Sequence, residues 1–112
     1  MYEYKVNEIK KVYDGDTITV SIDLGMGVSR VEKIRLADIN APEVRGDERE
    51  AGLVSRDWLK ARLADAEAAG TDIIIRTIRD KKGKYGRYIG KIYIDNIYVN
   101  QEMIDVGMAI RY

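Results

Sequence analysis

Three short stretches hold the side chains that could do chemistry. Asp14 and Asp16 flank a glycine in Val-Tyr-Asp-Gly-Asp-Thr, residues 12 to 17. Arg35 opens Arg-Leu-Ala-Asp-Ile-Asn-Ala-Pro-Glu, which ends at Glu43, and Lys84-Tyr85-Gly86-Arg87 closes a basic loop. A strand packed into a core cannot easily bury Arg35, so its guanidinium is expected in a cleft, where its planar fork suits a phosphate. Pro42 fixes the backbone beside Glu43 and disfavours helix at Ala41, so this turn is stiff. The chain has no histidine and no cysteine. That removes thiolate or imidazole zinc sites, a cysteine nucleophile and a histidine general base. Hydrolysis would rest instead on carboxylates, arginines, lysines, tyrosines and a hard cation such as Ca²⁺ or Mg²⁺. A phosphodiester-cleaving site of that kind needs carboxylate oxygens for the metal, a carboxylate for the attacking water, and cations around the phosphate. Each stretch alone is ordinary: a hairpin turn, a structural ion pair, a solvated loop. Their combination carries the information.

The elements that must bring them together follow from patterning. At 112 residues the chain is expected to be one domain, residues 1 to 112, with a small core. Tyr4 to Tyr13 alternates with one slip, which predicts a bulged strand ahead of the Asp14-Gly15-Asp16 hairpin turn. Thr17 to Leu24 and, after Gly25-Met26-Gly27, Val28 to Ala37 predict the next two strands of a meander. Asp47 and Glu50 have capping-box spacing for a helix entering at about residue 48 and ending at Gly70. Val54, Trp58, Leu59, Leu63 and Ala66 form its apolar face. Arg62 interrupts that face and must reach solvent or a carboxylate. Trp58 reads as core, being inside the stripe. Thr71 to Arg79 and Tyr88 to Ile94 predict strands four and five, and Asn100 to Val106 a short helix stopped by Gly107. Five strands with a long helix after the third and a short C-terminal helix predict an α+β fold dominated by a five-stranded Greek-key barrel of the OB type.

The net charge is zero, which weakens the case for tight non-specific nucleic-acid binding but leaves room for a local basic patch. No apolar run approaches bilayer length and residues 1 to 11 lack a signal-peptide centre, so a cytoplasmic monomer is expected unless an export segment was removed.

With these residues in view, the chain resembles the staphylococcal nuclease (thermonuclease, SNase-like) family over almost its whole length. The resemblance lies in Val-Tyr-Asp-Gly-Asp-Thr at 12 to 17, Arg35-Leu36 through Ala41-Pro42-Glu43, Lys84-Tyr85-Gly86-Arg87, and Val99-Asn100 followed by Gly107-Met108-Ala109. It implies a nuclease that binds one Ca²⁺ and hydrolyses DNA, and RNA too, with little sequence specificity. Asp16 matches a metal ligand, with Asp14 as a second or water-mediated partner, and Ala41 matches a position whose backbone carbonyl faces the metal. Glu43 matches the glutamate that orients or activates the attacking water. Arg35 and Arg87 match the arginines that stabilise the phosphate in its transition state, and Lys84 and Tyr85 match contacts to a terminal phosphate. Tyr112 lies near tyrosines that stack on a base.

The sequence departs from this pattern where a second metal aspartate aligns with Asn40. An amide oxygen can still coordinate calcium, but one negative charge is gone, so weaker metal binding is expected. Asp38 would compensate if residues 37 to 39 stay extended, since i and i+2 side chains share a side of a strand. Its alternative reading, a solvent-facing charge, weighs equally. The chain stops at Tyr112 where fuller members continue into another helix. It is expected to be either cut short or a minimal version completed by Met103, Ile104, Met108 and Ile110. Phosphate-directed arginines without evident base-edge readers imply recognition through the backbone, single strands favoured. The competing reading is a nucleic-acid-binding module weakened in catalysis by Asn40.

Overall fold

The computed structural model describes residues 2–78 and 86–112. β1 (Tyr2–Asp14), β2 (Thr17–Gly25) and β3 (Val28–Leu36) form the meander. β1 also pairs with β5 (Ile73–Thr77), and β5 with β6 (Tyr88–Ile94), both antiparallel. The barrel closes where β6 pairs in parallel with β3, Ile34 opposite Tyr88, Arg35 opposite Ile89 and Leu36 opposite Gly90. These five strands make the closed barrel expected from the sequence. Gly90 is required at the seam: a Cβ there would stand 2.9 Å from Ile34 Cγ2 and 3.0 Å from Ile75 Cγ2. β1 carries three register shifts rather than the single slip read from its pattern, between Val6 and Glu8, Ile9 and Lys11, and Val12 and Asp14. Such shifts add the twist and bend that closure needs.

α1 (Arg49–Ala69) lies on β1 and β5 and buries Leu59, Leu63 and Ala66. The capping box does not form. Asp47 falls inside a 3-10 turn, Gly46–Glu48, and Glu48 occupies the cap position without a side-chain bond. A residue already coiled in that turn cannot adopt the extended backbone an N-cap uses. Gly70 ends the helix at φ 70°, and the Thr71 amide returns to the Ala66 carbonyl at 2.9 Å. Val54 is exposed, a correction to the predicted stripe, and Ser55 is buried in its stead. Trp58 packs against the core as read from the sequence, and Arg62 reaches a carboxylate, Glu102, at 2.9 Å.

Two further short pieces matter for the site. β4 (Ile39–Asn40) pairs with β8 (Ile110–Arg111), tying the turn after β3 to the C-terminal segment. β7 (Ile97–Tyr98) follows the Asp95-Asn96 turn and leads into α2 (Val99–Asp105). Met103 is fully buried and Ile104 and Met108 pack on the core, but Ile110 is 67% exposed because its backbone, not its side chain, is the part used in pairing. Among the described residues no helix is long and apolar enough to cross a membrane.

Candidate active site

The barrel seam brings the two arginines together. Arg35 stands opposite Ile89, and Arg87 lies immediately before β6. Arg35, Arg87, Ile89, Ile78, Asp38, Asn40 and Tyr112 line one cleft of about 420 Å³. Arg35 keeps 15% of its side-chain exposure, and its guanidinium is firmly held. Nη1 donates to the carbonyls of Leu36 (2.7 Å) and Ile39 (3.0 Å), while Nη2 donates to Asn40 Oδ1 (3.3 Å) and lies 3.4 Å from Asp16 Oδ2. Arg35 therefore also braces the turn that carries Asn40 to Glu43. Tyr112 closes the outer side, its ring centre 5.9 Å from the Arg35 guanidinium and its amide bonded to the Asp38 carbonyl at 3.0 Å.

Asp16 is buried and fully engaged. Its Oδ2 accepts the Ala41 amide at 2.8 Å, and its Oδ1 accepts the Thr17 hydroxyl at 3.1 Å. Asp14 Oδ1 accepts the Asp16 amide at 3.0 Å, folding the turn so that the two carboxyls are neighbours. Burial pushes Asp14 up to about 6, and its side-chain contact with Asp16 adds to this; the Asp16 amide and Arg35 pull the other way. Asp14 thus holds a proton more readily than a free aspartate.

The oxygens of Asp16 and Asn40 converge on a positive charge, the Arg35 Nη2, at 3.4 and 3.3 Å. In kind, this pair of oxygens suits a hard oxygen-binding cation. It is lightly charged: among the described residues no three carboxylates gather at one point.

Asp38 does not meet the condition set for it by the sequence. Its φ is +65°, so residues 37 to 39 are turned rather than extended, and Asp38 Oδ2 accepts the Tyr98 hydroxyl at 3.4 Å. Burial, then the Asp38 charge, pushes Tyr98 up to about 12. Glu43 is exposed and is absent from the lining of the arginine cleft. Lys84 and Tyr85 lie outside the described residues.

Three positions that hold the site escaped the sequence reading. Gly52, the fourth residue of α1, is pressed on the Glu43 carbonyl: a Cβ there would collide with that group and stand 2.8 Å from the Val44 nitrogen. Gly15 is similarly enclosed by Ser55, Ala41 and Met103, while the Ser55 hydroxyl donates to the Met108 carbonyl at 2.8 Å. A glycine inside a helix costs about 1 kcal/mol against alanine and was the available signal of close approach. Asn100, fully buried, accepts the Ile92 amide (3.0 Å) and donates to the Ala37 carbonyl (2.9 Å), fixing the end of β3 against α2. Its motif was visible, but its role was not.

Comparison with known proteins agrees with this architecture. The profile of the family described as staphylococcal nuclease homologue matches residues 33–112, more than two thirds of the chain. An uncharacterized protein, MJ1439, of Methanocaldococcus jannaschii is 30% identical over 131 aligned residues. That alignment covers 99% of this chain and 61% of the relative, so the chain spans about three fifths of the relative's length. On the profile match, reinforced by the closed barrel, the chain belongs to the family of staphylococcal nuclease homologues.

Proposed function

We propose that the protein is a calcium-dependent nuclease that hydrolyses phosphodiester bonds of DNA and RNA with little sequence specificity. The observation that carries this reading is the single cleft lined by both Arg35 and Arg87, with the Asp16 carboxylate bonded behind Arg35. Two guanidinium groups at one opening supply donors for a phosphate as it gains negative charge. Asp16, Asn40 and the Ala41 carbonyl are the groups that would hold Ca²⁺, assisted by Asp14. When bound, the ion supplies charge neutralisation and polarisation of a phosphate oxygen.

The chain's own residues do the rest. Glu43 orients a water and takes its proton as the water oxygen bonds to phosphorus and the opposite phosphorus–oxygen bond breaks. Gly52 and Pro42 fix the backbone that presents Glu43. Lys84 and Tyr85 contribute affinity for a terminal phosphate, and Tyr112 contacts a base. Contacts to backbone rather than base edges account for low sequence preference.

A second reading is favoured by one observation: Arg35 spends its Nη donors on Asp16, Asn40 and two carbonyls. An arginine committed inward, with Asn40 in place of a carboxylate, suits a module that binds strands without cutting them.

Cleavage of labelled single-stranded DNA and RNA across a calcium titration separates the two. Cutting that requires calcium, stops with chelator and collapses in Glu43→Gln supports the nuclease. Folded protein that binds strands and leaves them intact at millimolar calcium supports the binding module.

A further inference from the structure

The outer face of β1, β2 and β3 carries a second cationic feature beside the cleft. Lys11 Nζ lies 4.5 Å and Lys33 Nζ 4.8 Å from the centre of the Tyr13 ring. Strand register puts Lys11 opposite Thr19 and Thr19 opposite Lys33, so the three form one row across the meander. Tyr13 reaches this row because it is the extra residue of the register shift between Val12 and Asp14. The Thr19 hydroxyl donates to the Tyr13 oxygen at 3.2 Å and holds the ring in place. That bond, and the Lys33 and Lys11 charges after it, keep the phenol below its ordinary value against the opposing effect of burial.

Lys33 precedes Arg35 by two residues on β3, so both project from the same side of the strand, about 7 Å apart along it. The next register pair on that side is Thr17 with Arg35. The row of Lys11, Thr19 and Lys33 therefore borders the end of β3 that carries the arginine cleft. Neither lysine forms an ion pair with a carboxylate among the described residues, in contrast to Lys5 with Asp72 and Lys10 with Glu8 on the same strand. Two ammonium groups brought to one ring repel each other, and an anion between them relieves that repulsion. The ring restricts both flexible stems, which lowers the ordering cost of binding.

We propose that Lys11 and Lys33, gathered over Tyr13, form a second phosphate-binding subsite that holds the backbone of a nucleic-acid strand whose neighbouring phosphate occupies the Arg35 and Arg87 cleft. The subsite rests on the nuclease reading for the strand's direction of approach, and it assigns the β1–β2–β3 face as the path along which the strand continues.

The test uses the full chain in excess chelator, so that binding is read without cleavage. The probe is a labelled single-stranded oligonucleotide of about 16 residues, long enough to cover both subsites. Loss of two phosphate contacts lowers the slope of log affinity against log salt by about 1.4 for a single strand. Lys11→Gln with Lys33→Gln should show that reduction, equivalent to roughly 25-fold weaker binding at 0.1 M salt that disappears towards 1 M. A dinucleoside monophosphate, whose single phosphate cannot fill both subsites, should bind the variant and the wild type alike. Lys5→Gln with Lys10→Gln removes the same charge elsewhere on β1 and should leave the slope within a few tenths of wild type. Equal slopes for the wild type and the Lys11/Lys33 variant overturn the subsite while leaving the cleft reading intact. Equal losses in both double variants reduce the effect to net charge and overturn it as well. A wild-type chain that neither binds a strand in chelator nor cleaves one in calcium overturns the subsite and the functional reading together.

Discussion

Replacing Gly52 by alanine sets two opposed terms against each other at a residue that has no chemistry of its own. Alanine is the better helix former, worth about 1 kcal/mol in the interior of α1. The added Cβ, however, meets the Glu43 carbonyl and stands 2.8 Å from the Val44 nitrogen, and these are backbone atoms that cannot rotate away. Pro42 limits how the segment before Glu43 can yield. Overpacking of this kind costs about 1–3 kcal/mol. The net expectation is a loss of about 1 kcal/mol, or a Tm lower by about 4 °C for a domain of this size. The larger effect falls on cleavage, because the loop relieves the clash by shifting Glu43. A displacement of about 1 Å at a catalytic group is enough to cost on the order of 100-fold in rate. Differential scanning calorimetry and single-turnover cleavage on the same preparation read both quantities. A Gly52→Ala protein that melts higher than wild type and cleaves at the wild-type rate would refute the argument, since it would show helix propensity winning with no constraint from Glu43.

Arg35→Lys should cost both stability and activity, because one ammonium cannot replace donors to the Leu36 and Ile39 carbonyls and to Asn40. About 2 kcal/mol is expected in denaturant titration, with a further loss of about 100-fold in cleavage by the folded fraction. Asn40→Asp restores a negative charge beside Asp16 and should tighten Ca²⁺ binding in calorimetry; an unchanged affinity removes residue 40 from the metal site. For Asp14, whose folded pKa of about 6 exceeds the unfolded value, the protonated form favours the fold. Its contribution is complete below about pH 4 and is lost as pH rises through about 6, so Asp14→Asn should melt above wild type at pH 7, with the gap closing on acidification. Asn100→Leu strands the Ile92 amide and the Ala37 carbonyl in the core and should lower stability by about 3 kcal/mol in urea titration, whereas a change under 1 kcal/mol would mean those groups find other partners.

The barrel was legible because its causes are local and periodic. Alternation in Thr17 to Leu24, the β-branched run at Ile73 to Ile75, and the glycine stops at 70 and 107 each dictate an element without reference to the rest of the chain. The helix enters within a residue of its expected place, but the capping box of Asp47 and Glu50 does not form, because the turn at Gly46 starts coiling the chain one residue too early for it. For Asp38 two readings stood level, and the compensating one required an extended backbone; a left-handed residue breaks the two-residue period on which it depends.

Residue types alone determined what chemistry is open to this protein. Without histidine or cysteine, carboxylates, arginines and an oxygen-bound cation are what remain, and the order of the motifs along the chain marked the family. Only the tertiary structure decided how those groups are placed. The parallel seam of β3 and β6 joins Arg35 and Arg87 from opposite halves of the sequence. A register shift in β1 turns Tyr13 to the outside, against two lysines. Close approach of α1 to the Glu43 backbone explains Gly52. Such pairings depend on register, bulges and contact distance between segments far apart in the chain, and a single sequence read along its length does not encode them in any local pattern.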